Sequence, residues 1–239
     1  MLVAAAVCPC PPLLVPEVAA GAGPELDAAR KACLDAVGVL AAAKPELLIV
    51  AGPAGPDGDG LFAPGSAGSF SGFGVGLTVR LGDAPAGSPA PERPLPASLA
   101  VGAWLLGRAR WDSAPVEGLG VGETLPADRC LGAGAGLAAR AERVALLVMG
   151  DGSACRTVKA PGYLDERAAA FDAAAARALG SADLAALSAL NESLAYELKA
   201  AGRAPWQVLA GAARGAGLGG RLLYEDAPYG VGYAVAAWS

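Results

Sequence analysis

The order of apolar and polar positions along the chain predicts strands that alternate with helices. Three short, continuous apolar runs have the length and composition of strands that are covered on both faces, at residues 2–7, 47–51 and 144–149. Apolar residues spaced three and four apart predict helices over residues 24–43, 99–106, 137–142, 164–179 and 206–214. A further helix, starting at a Ser181 cap and ending at Gly202, is predicted from its leucine spacing.

The last two apolar segments, residues 221–224 and 229–238, flank Asp226 and predict a β-hairpin. Strands that alternate with helices favour an α/β sheet, and a short final hairpin makes one end of that sheet antiparallel. We therefore predict a single α/β domain over residues 1–239, with a central mixed sheet flanked by helices.

Segments rich in glycine and proline connect these elements. Residues 52–69 are predicted to form a loop, residues 73–81 a strand, and residues 111–130 an irregular segment. Residues 83–96 contain five prolines and are predicted to be an exposed connection, too short to separate two domains.

Composition excludes several classes of function. The chain has 239 residues, 54% hydrophobic, with a net charge of −5 and scattered lysines, whereas nucleic-acid binding needs clustered cations. No apolar run approaches the roughly 20 residues that span a bilayer. We therefore expect a cytoplasmic protein with neither a nucleic-acid nor a membrane partner.

The chain contains no histidine, which excludes catalytic triads, Cys-His dyads and imidazole metal sites within a single chain. Its cysteines are odd in number, and in a chain long enough to build a core this favours free thiols over a disulfide framework. They are Cys8, Cys10, Cys33, Cys130 and Cys155.

Small residues and prolines follow three of the predicted strands, at residues 9–12, 52–55 and 150–155. In open α/β sheets, ligands bind at the carboxyl ends of the strands, where small residues let the backbone approach them. These three segments predict a cleft, with three ordinary turns as the alternative.

Three motifs suggest a ligand site, but each has a simpler structural interpretation. These are a low-complexity loop for the glycines, a solvated loop for the two aspartates, and one core thiol beside one cleft-facing thiol for the cysteines. Gly134-x-Gly136-x-x-Ala139 fits a dinucleotide fingerprint, but no predicted strand precedes it. Asp57 and Asp59 could hold a hard cation, although further ligands at calcium-loop spacing are missing. Cys8-x-Cys10 could be half of a soft-metal site, but no second pair of thiols stands at metal-ligand spacing.

Seven sequence segments together resemble the class III extradiol ring-cleavage dioxygenases, in particular an alanine-rich actinobacterial branch of the LigB-like superfamily. The resemblance covers nearly the whole chain. The segments are CPCPPLLVPE from Cys8, IVAGPAG from Ile49, FSGFG from Phe70, VMGDGSA from Val148, GYLDERAAAFD from Gly162, APWQVLAGAA from Ala204 and YGVGYAVAAW from Tyr229. The resemblance implies the α/β fold of the catalytic chain of those enzymes.

The resemblance also implies where a non-haem Fe(II) centre with two histidines, a glutamate and an acid/base histidine would lie. The first histidine position holds Cys10, the second holds Ala54, and the acid/base neighbourhood, residues 153–156, has no imidazole. The glutamate position falls on Ala201 or Gly202, with Glu197 one turn earlier as an outside candidate. One thiolate and one carboxylate do not make a facial triad, so we expect no Fe(II) cofactor, no metal and no ordinary ring cleavage.

Three hypotheses follow for function. The first is a degenerate homologue, a pseudoenzyme, whose cleft still binds a small molecule or a protein partner. The second is an enzyme that uses Cys10 or Cys155 as a thiolate and Asp151 as an acid/base, with or without an atypical metal site. The third is a purely structural subunit that pairs with a catalytic partner. Association into a homo-oligomer is a separate expectation. The remaining candidate cleft residues are Pro11, Pro53, Ala54, Gly152 and Ser153.

Overall fold

The computed structural model describes residues 1–84, 86–87 and 93–239, with the backbone alone at residues 20–22. The strands, in chain order, are β1 Leu2–Cys8, β2 Leu47–Ala54, β3 Gly60–Phe62, β4 Ala67–Ser69, β5 Thr78–Arg80, β6 Val116–Gly122, β7 Val144–Met149, β8 Gly220–Asp226 and β9 Tyr233–Trp238. The helices are α1 Pro16–Ala19, α2 Asp27–Ala42, α3 Ala97–Ala109, α4 Ala127–Ala138, α5 Ala168–Ser181, α6 Leu184–Ser188, α7 Glu192–Glu197 and α8 Arg203–Ala212. Short 3₁₀ helices lie at Pro12–Leu14, Ala20–Leu26, Pro56–Gly58 and Ser71–Phe73.

Seven strands form the central sheet in the order β3-β6-β2-β7-β1-β9-β8. The inner strands β6, β2, β7 and β1 are parallel, while β3 pairs antiparallel with β6 at one edge. Strands β8 and β9 form an antiparallel hairpin that joins β1 at the other edge. The predicted α/β architecture with a mixed sheet flanked by helices, and its antiparallel hairpin, are therefore confirmed.

Alternation along the strands divides the core into two layers. On β1, Ala4, Ala6 and Cys8 belong to the cluster that packs under α2 and α3, which we call the α2 face. Ala5 and Val7 belong to the opposite cluster, formed with α4, α5 and α8, which we call the α8 face. Both faces of the inner strands are buried, which is why these strands are continuous apolar runs in the sequence.

The prediction that residues 111–130 are irregular is wrong, because they contain β6 and the first turn of α4. Glycines at alternate positions of β6 suggest a loop, but the packing requires them. A Cβ at Gly120 would lie 1.8 Å from the carbonyl oxygen of Gly58, and one at Gly118 would lie 2.8 Å from Leu81. Close approach of neighbouring chain therefore explains glycine inside this strand.

The helix predicted over residues 137–142 is also wrong, since α4 spans Ala127–Ala138. Glycines 132, 134 and 136 lower helix propensity, yet tertiary packing holds the helix. A Cβ at Gly134 would lie 1.9 Å from the carbonyl oxygen of Val208, and one at Gly211 would lie 2.1 Å from that of Leu131. The two glycines let α4 and α8 pack backbone to backbone.

The single helix predicted after Ser181 is two short helices, α6 and α7. Asp183 and Asn191 cap them by accepting hydrogen bonds from the amides of Ala186 (3.0 Å) and Leu194 (2.8 Å). Ser181 instead ends α5, where its hydroxyl donates to the carbonyl oxygen of Arg177. The second cap interrupts a leucine pattern that otherwise looks continuous.

The ends of the other predicted elements differ from the observed ends by a few residues. Helices α2, α3, α5 and α8 lie within or across their predicted ranges. The predicted loop 52–69 holds the end of β2 together with β3 and β4, and the predicted strand 73–81 is reduced to Thr78–Arg80. Residues 85 and 88–92 of the predicted exposed connection lie outside the described residues.

Among the helices that the structure describes, none is both long enough and apolar enough to cross a membrane.

Candidate functional site

The parallel strands bring four chain segments to one edge of the sheet, which we call the carboxyl edge. Cys10 follows β1, Gly55 follows β2, Glu123 follows β6 and Asp151 follows β7. The carboxyl edge is where open α/β sheets bind ligands.

The proline-rich corner at residues 9–12 connects β1 to this edge. Of Pro9, Cys10, Pro11 and Pro12, Cys10 alone has an amide hydrogen, and it donates to Asp151 Oδ1 at 2.7 Å. The carbonyl oxygen of Pro11 accepts from Leu14 and starts a 3₁₀ turn. The corner therefore fixes the donor that holds the Asp151 carboxylate, which explains why a stiff turn leaves the strand here.

Asp151 is half-buried as a residue, and its carboxyl group is closely surrounded by protein. Desolvation raises its pKa from 3.8 to about 7, and the hydrogen bond from the Cys10 amide opposes that shift. A carboxyl group with this pKa exchanges a proton near neutrality, which is the property of a general acid or base.

The thiols near Asp151 are poor nucleophiles. Cys10 is 7% exposed, and burial together with the negative charges of Asp151 and Glu123 raises its pKa well above the usual range. Burial, and then Cys8, raise the pKa of the Cys33 thiol in the same way. Such environments keep a thiol protonated, whereas a reactive cysteine needs a depressed pKa.

Cys155 lies apart from Cys10, in the cluster on the α8 face. It is 1% exposed, and its Sγ lies 3.5 Å from the carbonyl oxygen of Leu198. Burial is the main cause that raises its pKa. The two candidate nucleophiles therefore do not share one cleft.

Thiol reactivity gives the first prediction. All five cysteines are free and buried, so we expect the native protein to react with a thiol reagent at about pH 8 at least ~100-fold more slowly than free cysteine. Guanidinium-unfolded protein should titrate five thiols at the free rate. Rapid modification of Cys10 or Cys155, located by mass spectrometry, would instead restore the nucleophile hypothesis.

The other predicted cleft residues lie in the same three segments at the carboxyl edge. Pro11 follows Cys10, and Gly152 follows Asp151. The carbonyl oxygen of Pro53 accepts from the Ser98 hydroxyl at 2.6 Å, and Ala54 is buried. Ser153 bonds Asp172 on α5.

Ser153 belongs to a buried network on α5. Its amide and hydroxyl both donate to the Asp172 carboxylate, each at 2.7 Å, and Arg156 donates to the same group at 3.0 Å. A Cβ at Gly232 would lie 2.4 Å from Asp172 Oδ2, so glycine is needed beside it. Sequence reasoning missed Asp172, although it lies within the buried stripe of α5 where an acidic residue is unusual. This network fixes the chain that leaves β7.

A pocket of about 370 Å³ opens beside the carboxyl edge, where α7 and α8 approach the end of β6. We call it the α7–α8 pocket; Glu123, Tyr196, Glu197, Lys199 and Arg203 are among the residues that line it. The Gly202 amide, at the start of α8, donates to the carbonyl oxygen of Asp151 at 2.8 Å and ties the pocket wall to β7. Sequence reasoning named one of these side chains, Glu197, and missed Tyr196, Lys199 and Arg203 in the same segment; Glu123 is far from them in the chain, and only the fold brings it to the pocket.

The residues at the expected metal positions do not fit an Fe(II) centre. Cys10 is a protonated buried thiol, Ala54 presents a methyl group and Gly202 has no side chain. Glu197 is bonded to Arg167 at 2.7 Å. No group of three or more His, Cys, Asp or Glu side chains that could hold a metal exists within residues 1–84, 86–87 and 93–239.

The two other motifs also have structural roles. Gly134 and Gly136 lie inside α4, so they cannot form a strand-to-helix turn around a pyrophosphate. Asp59 Oδ1 accepts from the Gly122 amide at 3.2 Å and links the loop after β2 to the end of β6.

Comparison with known proteins identifies the fold and no activity. The sequence matches no protein-family model and no curated protein. The structure is similar to the crystal structure of uncharacterized protein JW3007 from Escherichia coli K12, with a TM-score of 0.61, 17% identity and 99% of each chain covered. The alignment covers nearly the whole of both chains, so the overall fold is one that an experimental structure also has.

Proposed function

We propose that this protein binds a small molecule in the α7–α8 pocket and that it does not carry out iron-dependent ring cleavage. The observation that carries the proposal is the pocket itself, which lies at the carboxyl edge and has a volume within the range of small-molecule sites. Its lining combines an exposed aromatic ring, Tyr196, with charged groups from separate chain segments. A protein of this kind is expected in the cytoplasm, without a nucleic-acid partner.

The resemblance to class III extradiol dioxygenases supports a common origin of the fold and leads us to propose a LigB-like domain. Three of the resembling segments contain the chain that follows β1, β2 and β7, which is where the ancestral centre would lie. The expected ligand positions there hold a thiol, a methyl group and a glycine, so we propose that the scaffold is retained and the site is altered. Neither a metal nor a redox cofactor is part of it.

Asp151 supports a second candidate, an enzyme that transfers protons. Its pKa of about 7 and its partial exposure allow it to give or take a proton at neutral pH. In this alternative the substrate would reach Asp151 from the carboxyl edge, and Cys10 would act through its amide rather than its thiol.

Ligand mapping tests the binding proposal. We would titrate ¹⁵N-labelled protein with a library of small polar and aromatic fragments and follow the amide signals. Hits are expected to perturb Glu123 and residues 195–203 together. Hits that cluster elsewhere, or a library with no hits, would contradict the proposal.

Iron loading tests the second half of the proposal. After anaerobic addition of Fe(II) and removal of excess metal, we expect substoichiometric iron and no oxygen uptake with catechols, because the donors cannot form a facial triad. One tightly held ferrous ion per chain together with conversion of a catechol would show that ring cleavage persists. The same measurement on Asp151→Asn protein separates a carboxylate-held metal from adventitious iron.

A further inference from the structure

The α7–α8 pocket contains a buried cation with no ionic partner. Arg203 is 2% exposed, and its guanidinium donates to the carbonyl oxygen of Leu125 (2.6 Å), to that of Glu123 and to Gln207 Oε1 (3.0 Å). All three acceptors are neutral. Within the described part of the chain, no carboxylate lies within ion-pair distance of this side chain. Buried charges in proteins are normally paired, so this guanidinium is an unneutralised charge beside an open pocket.

The position of Arg203 in its helix adds to the positive potential. Arg203 is the first residue of α8, a ten-residue helix with no acidic residue in its first turn. The amino end of a helix carries a partial positive charge, which favours anions and disfavours a cation placed there. A negatively charged group of a ligand beside Arg203 would offset this unfavourable placement of a cation.

A second cation lines the same pocket. Lys199 is exposed and, among the residues described, has no ion-pair partner. Its backbone is left-handed, with φ at 54°, in the turn that ends α7, where the Ala200 amide donates to the carbonyl oxygen of Ala195 at 2.8 Å. This backbone sets the direction in which the side chain leaves the segment between α7 and α8.

The acidic residues of the pocket do not pair with either cation. Glu197 is bonded to Arg167 at 2.7 Å, and Arg167 also bonds Asp165 at 2.7 Å. Glu123 is exposed, and it is Arg203's contact with the Glu123 carbonyl, not the carboxylate, that the structure shows. Arg203 and Lys199 are therefore two lining cations that, among the described residues, have no carboxylate within ion-pair distance.

Resting on the proposed function, we propose that the α7–α8 pocket binds its small molecule through an oxyanion, a carboxylate or a phosphate, that Arg203 and Lys199 recognise. The guanidinium is pre-oriented by its three neutral acceptors, and the flexible Lys199 ammonium closes on the anion from the rim. The exposed Glu123 lowers the affinity for the anion and favours ligands that also carry a donor.

Matched probes test this inference. ¹⁵N-labelled protein is titrated with benzoate, with its neutral isostere benzamide, with the cation benzylamine and with inorganic phosphate. Benzoate or phosphate is expected to bind at residues 195–203 at least about tenfold more tightly than benzamide, with benzylamine weakest. Benzoate alone identifies a carboxylate site, and phosphate alone identifies a phosphate site.

The variants are placed at surface residues and not at Arg203. Arg203 hydrogen-bonds the chain before α4, so its replacement would destabilise the fold. Lys199→Glu should weaken anion binding by at least about tenfold, and Glu123→Gln should strengthen it about two- to fivefold. Lys44→Glu should change nothing: Lys44 has the same left-handed backbone, with φ at 48°, but lies before β2 at the opposite edge of the sheet.

The outcomes distinguish this inference from the proposed function. Equal binding of benzoate, benzamide and benzylamine in the pocket overturns the anion inference and leaves the small-molecule proposal standing. Equal loss of affinity in Lys199→Glu and Lys44→Glu also overturns it, since a general charge effect would then be responsible. If neither the fragment library nor these probes bind, both proposals fail.

Discussion

Replacing Gly134 by alanine is expected to destabilise the protein by about 2–3 kcal/mol, although alanine is the better helix former. The new Cβ would lie 1.9 Å from the carbonyl oxygen of Val208 and 2.7 Å from the Ala212 amide nitrogen, so α4 and α8 must separate. Both obstacles are backbone atoms of a helix, which cannot move aside as a side chain would. Urea unfolding followed by circular dichroism measures the change.

The same helix provides the control. A Cβ at Gly136 or Gly132 would meet nothing within 4 Å, so alanine there should stabilise the protein by about 0.5–1 kcal/mol. The opposite signs follow from packing alone, because the three positions share one helix and one substitution. If Gly134→Ala and Gly136→Ala had the same effect, the close contact of α4 with α8 would be refuted. Opposite signs would show that the glycine string serves helix packing and not a nucleotide.

Replacing Asp151 by asparagine is expected to stabilise the protein by about 1–3 kcal/mol at about pH 8 and by less than half of that at about pH 5. The folded-state pKa is about 7 and the unperturbed value is 3.8. Between these two values the folded protein holds a proton that the unfolded chain has released, so wild-type stability falls as the pH rises through this window. The two pKa values differ by about 3, which limits the change in the free energy of unfolding to about 4 kcal/mol. The partial exposure of Asp151 to water reduces this change further.

Asparagine is a suitable replacement because its side-chain oxygen can still accept the Cys10 amide, while it carries no titratable proton. Wild-type and variant protein are unfolded with urea at a series of pH values, and the difference between the two isolates Asp151 from all other groups. Asp35→Asn is the control: Asp35 is exposed and paired with Lys31, so its loss should change stability by less than about 1 kcal/mol at every pH. A constant difference between wild type and Asp151→Asn from about pH 5 to 8 would mean that Asp151 is already ionised throughout.

The contrast between β7 and β6 shows which strands the hydrophobic pattern of the sequence can predict and which it cannot. Strand β7 is six apolar residues, buried on both faces, and its pattern alone predicted it within one residue. Strand β6 lies in the same sheet, separated from β7 by β2 alone, and its alternating glycines led to the prediction of an irregular segment. Its glycines are dictated by atoms of Gly58, Leu81 and Leu99, residues far away in the chain. A local pattern cannot contain that information.

The candidate site shows the same division. The sequence marked Cys10 and Asp151 because each follows a strand, and these two residues do meet, through a hydrogen bond. It could not show that Cys155 lies on the other face of the sheet, or that Asp172 binds Ser153. Nor could it show that Arg203 is buried without a carboxylate beside Lys199, since charge pairing depends on neighbours from separate elements.

By itself, then, the amino-acid sequence determined the α/β class, the two-sided burial of the inner strands, the carboxyl-edge position of residues 10 and 151 and the absence of any imidazole ligand. These properties depend on residue type and on the order along the chain, where the hydrophobic effect acts through short-range periodicity. Tertiary structure alone decided the contact of α4 with α8, the proton affinity of Asp151 and the unpaired charge in the α7–α8 pocket. Steric contact, desolvation and charge pairing act over a few ångströms between segments that folding brings together, and the chain order does not specify those distances.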